Sequence, residues 1–303
     1  MNRLLNVAMG RFVLSYRTLV RSLTKANFRV DQMRPLSSIS SLFHLESIGS
    51  ELYRCVDYLG KINSSPSQPV DYRVRHLRDG KSFCTRIVDA EQNGKVVFTC
   101  QISFHKQEKS SIEHSIKMPD VPPPEDLITD LEAISSFAEE EIVAEKETSK
   151  MKLLRMIREV EKKGGETVFE MKPTDIDAYF ALKPLVPQCF YFWFRCSSTL
   201  PDDPTLHRCI QTYITDSTLI SVAYRLHVSR GFIPEMTSTL DHNVWIHDAD
   251  FRADEWMLYE AFSPIAINGR AFATARFWTR DGRLVMTCTQ ESLVRSRNPP
   301  SKL

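Results

Sequence analysis

Gly282-Arg283-Leu284-Val285-Met286-Thr287-Cys288 repeats, late in the chain, an earlier stretch, Gly94-Lys95-Val96-Val97-Phe98-Thr99-Cys100. The preceding strand repeats too: Gly80-Lys81-Ser82-Phe83-Cys84-Thr85 matches Gly269-Arg270-Ala271-Phe272-Ala273-Thr274, and the gap between the glycines differs by one residue. Asn93-Gly94 is the preferred dipeptide of a two-residue hairpin, because both central positions need positive φ. Arg280-Asp281-Gly282-Arg283 reads as a second hairpin turn. Shared Phe, Thr and Cys positions point to duplication rather than two unrelated hairpins. The inferred unit is a long helix packed against an antiparallel sheet, present twice, an α+β architecture.

Working outward, Tyr72–Leu77, Ser82–Ala90 and Lys95–His105 read as strands of the first copy, and Phe43–Ile48 with Leu52-Tyr53-Arg54 as its opening strand. Ser64, Ser65, Pro66, Ser67 and Pro69 make residues 55–71 loop-like. In the second copy, Phe190–Arg195 is an aromatic strand. Pro201-Asp202-Asp203-Pro204 then starts a helix, with Asp203 as N-cap and Pro204 at the first helical position. That helix should run from about Thr205 to His227 and stop before Gly231. Strands follow at 237–247, 256–264, 270–278 and 284–294. Between the copies, Pro119, Pro122, Pro123 and Pro124 form a stiff break. Glu125–Lys163 is acidic and then basic, with Leu127, Ile128, Leu131 and Ile134 at helical spacing, which suits solvated helices bridging two domains. The expected organisation is a basic extension at 1–40, a first module at 41–118, a charged helical linker at 119–165, a second module at 166–298 and a tail at 299–303.

The 303 residues carry a formal net charge of +1, so no broad basic face argues for nucleic acid. No apolar run is long enough to span a membrane. Seven cysteines without a C-x-x-C pair fit reduced thiols better than a disulfide framework or a zinc site. The chain ends in Ser301-Lys302-Leu303, the form of a peroxisomal address read by an import receptor, after Pro299 and Pro300. Residues 1–30 compete with it: Arg3, Arg11, Arg17, Arg21, Lys25 and Arg29, with no acid before Asp31, also suit a mitochondrial transit peptide.

Thr239-Leu240-Asp241-His242-Asn243-Val244-Trp245-Ile246-His247 is the oddest strand. Alternation puts Leu240, Val244 and Ile246 on one face, and Thr239, Asp241, Asn243 and Trp245 on the other. His242 and His247 then have opposite parity, which speaks against a shared metal. Asp216 falls on the helical face of Cys209, Tyr213, Leu219, Ile220 and Ala223, where a carboxylate costs desolvation unless it is paired. Gln290 extends the apolar row Leu284, Met286, Cys288. Trp245, Trp256 and Trp278 read as core or interface rather than a cofactor box, and Cys209 and Cys288 as buried small apolar residues. Nothing calls for a cofactor or a thiol nucleophile.

Together, Leu240-Asp241-His242 with Trp245 and His247, Phe251-Arg252-Ala253-Asp254 with Trp256-Met257-Leu258-Tyr259, Asp281-Gly282 and Gln290-Glu291 resemble the acyl-CoA thioesterase II family. Arg78-Asp79-Gly80 with Ser82-Phe83, Pro201-Asp202-Asp203-Pro204 and the terminal Ser-Lys-Leu match as well, the last resembling its peroxisomal branch. The resemblance implies a double hot-dog fold, acyl-CoA as substrate, a homo-oligomer, and a hydrolytic set of Asp216, Thr239 and Gln290 that orients an attacking water. The family's first module also has a Gly-Gly-Gln helix and a further strand, which Cys55–Arg73 is too short to hold, so this module reads as incomplete. Two other readings follow from that gap and the fold: a non-catalytic acyl-CoA-binding or assembly subunit, and a hot-dog enoyl-CoA hydratase.

Overall fold

A computed structural model of the chain describes residues 46–49, 52–55, 70–133, 135–136, 169–230, 232 and 234–296. The basic N-terminal stretch, most of the charged linker and the terminal tripeptide lie outside the described residues. The described residues divide at Ser115 and Ile116 into two compact units.

The first unit is a five-stranded antiparallel sheet in chain order: β1 (Glu46–Gly49), β2 (Leu52–Cys55), β3 (Val70–Asp79), β4 (Phe83–Gln92) and β5 (Lys95–His105). The opening stretch expected as one strand is thus a two-stranded hairpin. Alternation holds along β4, where Cys84, Val88 and Ala90 are buried with Val70, Tyr72 and Val74 of β3. Asn93 and Gly94 have φ of 52° and 71°, the two positive values the hairpin turn requires. Gly80 is needed for another reason: a Cβ there would lie 2.9 Å from the Phe83 carbonyl oxygen.

The second unit is a six-stranded antiparallel sheet in the order β6-β7-β9-β10-β11-β8. Its strands are β6 (Phe169–Pro173), β7 (Phe190–Cys196), β8 (Met236–Ile246), β9 (Met257–Ile267), β10 (Arg270–Thr279) and β11 (Leu284–Arg295). A four-residue helix α1 (Ile176–Tyr179) and a 25-residue helix α2 (Pro204–Val228) complete it. The Asp203 carboxylate accepts the Thr205 N–H at 2.9 Å, and Pro204 opens α2 where its missing N–H costs nothing. Helix and sheet enclose an aromatic core in which Tyr259 stacks on Phe192 and meets Phe277 edge-on, all three essentially inaccessible.

The duplication is visible in the topology. Strands β1-β2-β3-β4-β5 follow the same order as β6-β7-β9-β10-β11. Counterparts of α2 and β8, which in the second unit lie between β7 and β9, are not found among the described residues of the first. There β2 and β3 are separated only by residues 56–69.

The linker reading needs adjusting at its start. Residues 118–127 lie against the second sheet, where Met118, Val121 and Leu127 pack on Trp193, Leu258 and Trp278. Trp193 Nε1 donates to the Pro122 carbonyl and Lys172 Nζ to that of Pro124, both at 2.9 Å, and Arg280 forks onto Glu125. This strap buries the outer sheet face, which periodicity alone cannot anticipate. Helix resumes at Asp130 behind a reciprocal cap in which Thr129 and Glu132 each bond the other's backbone N–H.

Candidate active site

Three elements converge at one buried point. α2 contributes Asp216, β8 contributes Thr239, and β11 contributes Gln290, which is fully buried. Thr239 Oγ1 donates to Asp216 Oδ1 at 3.2 Å. Gln290 Nε2 donates to the same carboxylate oxygen and to Thr239 Oγ1, the latter at 3.0 Å. All three residues singled out in the sequence are therefore mutually bonded. The desolvation of Asp216, which is 8 % exposed, is offset by charge-assisted donors. The Gln290 side-chain oxygen has no hydrogen-bond partner among the described residues, so an acceptor is held beside the carboxylate.

Strict alternation would have aimed Thr239 elsewhere. Along the β8–β11 ladder, Asp241 faces Glu291 but Thr239 faces Ser292, so Leu240 is an extra residue. This β-bulge re-phases the strand. His242 bonds α2 on one side of it and Thr239 on the other, while Val244 packs on the core and Thr237 is buried. Leu240 and Trp245 are about half exposed. The parity row that grouped Thr239 with Asp241, Asn243 and Trp245 is thus corrected by one inserted residue. Of the other tryptophans, Trp278 is buried and Trp256 lies half-buried beside Arg195.

His242 faces Gln290 across the ladder, and its Nε2 is 2.8 Å from Thr215 Oγ1 on α2. Burial lowers its pKa to about 4. The ring is therefore neutral at physiological pH. The sign of the stability effect follows from linkage. Above pH 6.5 neither the folded nor the unfolded chain protonates this ring. Between pH 6.5 and 4 only the unfolded chain takes up the proton, so stability falls with pH, by at most about 3 kcal/mol. Denaturant titrations at pH 7.5 and 4.5 should show a larger acid loss for the native chain than for His242→Gln. Equal losses would refute this assignment.

The remaining chemistry is limited. Cys288, two residues before Gln290, is fully buried, and burial followed by the Asp216 charge pushes its thiol far above the ordinary range. Burial likewise pushes Cys209 up to about 12. Neither is a thiolate at neutral pH. Among the described residues no three His, Cys, Asp or Glu side chains are grouped to hold a metal ion. A surface cavity lined by Phe251, Arg252, Trp256, Arg280 and Arg283 lies at the far end of β11 from Gln290, roughly 20 Å along the strand. Arg252, Arg280 and Arg283 are each already paired with carboxylates. The cavity is separate from the buried cluster.

The sequence profile of the acyl-CoA thioesterase C-terminal domain matches residues 169–294, and that of the N-terminal domain matches 55–105. Acyl-coenzyme A thioesterase 8 of Rattus norvegicus is 36% identical over 261 residues, covering 86% of this chain and 76% of the relative. This chain belongs to the acyl-CoA thioesterase II family. Acyl-CoA thioesterase 2 of Haemophilus influenzae is 29% identical over 231 residues, covering 75% of this chain and 74% of the relative. The crystal structure of an acyl-CoA thioesterase II from Mycobacterium marinum superposes with a TM-score of 0.64 at 27% identity, covering 86% of this chain and 99% of that one. The fold of this acyl-CoA thioesterase is accordingly the double hot-dog, with a smaller first module. The cluster of Asp216, Thr239 and Gln290 lies within the region matched by the C-terminal profile.

Proposed function

We propose that this acyl-CoA thioesterase hydrolyses fatty acyl-CoA to free fatty acid and CoA by direct attack of a water that Asp216, Thr239 and Gln290 orient. The observation that carries the reading is the shared acceptor: Thr239 and Gln290 both donate to one oxygen of a buried carboxylate. They hold Asp216 in one rotamer as an ionised acceptor, and the Gln290 side-chain oxygen adds a second acceptor beside it. Two acceptors converging on one water leave a lone pair of its oxygen for the thioester carbonyl carbon. In the reaction the water oxygen bonds to that carbon and Asp216 takes the water proton. The tetrahedral intermediate then expels the CoA sulfur, which leaves with that proton as the thiol. No acyl-enzyme is formed, in keeping with protonated Cys288 and Cys209.

Purified chain incubated with saturated and 2-enoyl-CoA substrates should release one free thiol per fatty acid formed. Addition of water across the enoyl double bond without CoA release would instead favour a hydratase. Tight acyl-CoA binding without turnover would make the chain a non-catalytic subunit. We also propose that Ser301-Lys302-Leu303 directs the protein to the peroxisome. Removing the tripeptide from the full chain in cells should shift it to the cytosol. A shift to, or persistence in, mitochondria would assign targeting to the basic residues 1–30 instead.

A further inference from the structure

We propose that His242 is a positioning residue for hydrolysis: its Nε2–H clamps Thr215, and through Thr215 the turn of α2 that presents Asp216. The proposal rests on the hydrolytic role of Asp216 given above.

The direction of the bond follows from counting protons. Thr215 Oγ1 carries one hydrogen, and the Thr212 carbonyl, which can only accept, lies 2.7 Å from it. The second neighbour of that hydroxyl, His242 Nε2 at 2.8 Å, must then be the donor. The tautomer with hydrogen on Nε2 is thereby selected. Thr215 is fully buried, so without the imidazole its oxygen would lose a partner that water cannot replace.

Position gives the bond its consequence. Thr215 and Asp216 are adjacent on α2, and their partners His242 and Thr239 stand on either side of the Leu240 bulge. The same turn of helix is thus fixed to β8 at two points. His242 also faces Gln290 in the β8–β11 ladder, so the strand position carrying one clamp is paired with the strand position carrying the second donor to Asp216. With both points made, rotation or sliding of this turn of α2 against β8 breaks at least one bond. Without the His242 bond, the Thr239 and Gln290 bonds and the apolar packing of α2 remain, but the turn that carries Asp216 loses one of its two hydrogen bonds to β8, and the carboxylate can shift relative to the Gln290 side-chain oxygen. A displacement near 1 Å in such a site costs on the order of 10²-fold in rate. Apolar packing alone does not account for the pair, because valine at 215 would fill the same volume without the bond.

Three variants of the full chain test the clamp. Thr215→Val removes the acceptor isosterically. His242→Asn shortens the donor out of reach. His242→Gln places an amide N–H near the Nε2 position. The first two should lower kcat about 10- to 100-fold with KM changed less than about threefold, and His242→Gln should recover most of the rate. Thr215→Val combined with His242→Asn should lose no more than either alone. Normal kcat in Thr215→Val, failure of His242→Gln to exceed His242→Asn, or a change confined to KM would overturn the proposal. If His242→Asn does not fold, Thr215→Val and His242→Gln still decide. Asp216→Asn serves as the control: full activity there would sink the underlying reading, whereas loss there with normal Thr215→Val would sink only the clamp.

Discussion

Replacing Asp216 by asparagine is expected to lower kcat about 10²- to 10⁴-fold, with a small change in KM and no loss of fold. Asparagine has the same shape and keeps a side-chain oxygen to accept the Thr239 hydroxyl and the Gln290 amide, so the three-way contact survives. What is lost is the negative charge to which the proposed mechanism assigns the water proton. In the unsubstituted chain that carboxylate is held almost out of solvent and accepts from Thr239 and Gln290. Removing it also relieves a buried ion, so the melting temperature should hold or rise. Kinetics and thermal unfolding on the same preparation check both halves. An Asp216→Asn protein with native turnover would end the water-activation scheme. Lost activity with a collapsed melting temperature would instead make Asp216 a structural residue.

Trp278→Ala should destabilise the second unit by about 3–5 kcal/mol, the usual cost of emptying a fully buried tryptophan site. Trp278 sits between the outer sheet face and the strap, with Trp193 and Leu258 beside it and Met118, Val121 and Leu127 packed on the cluster. Its Nε1 donates to Glu260, whose carboxylate also takes Arg276 and is largely buried. The substitution therefore opens a cavity and removes a donor from a buried charge. Released packing should expose residues 118–127 to protease first. Because the Asp216 cluster is held between α2 and strands β8 and β11, residual native protein should keep its kcat. Urea unfolding followed alongside limited proteolysis measures both. A loss below about 1 kcal/mol, or a strap no more cleavable than before, would show that the strap is not held by this ring.

Much of the fold was legible because it rests on local rules. Asn93-Gly94 had to turn with two positive φ values, Asp203-Pro204 had to start a helix, and the repeated glycine-led strands had to pair as hairpins. β6 and α1 were missed. Five residues of Phe169–Pro173 and four of Ile176–Tyr179 are too short for periodicity to register, and pairing with β7 is what makes the first a strand. The incomplete first module was legible as missing length between β2 and β3, since a helix together with a further strand does not fit between them.

The family resemblance singled out Asp216, Thr239 and Gln290, and residue chemistry along the chain supported Asp216 and Gln290, because a carboxylate on an apolar helix face and an amide ending an apolar strand row each need a partner that their own element cannot supply. It could not determine that they are each other's partners. Nor could it orient Thr239, which alternation put on the wrong face, or reveal that His242 reaches the helix through Thr215. Those facts depend on Leu240, one residue without a counterpart on β11, and a bulge is a property of two paired strands rather than of either alone. The repeat, turns and caps are thus written in short-range sequence, where each residue's own conformational preferences decide. The site exists only once α2, β8 and β11 are brought within hydrogen-bond distance, because that proximity is what offsets the burial of the Asp216 charge.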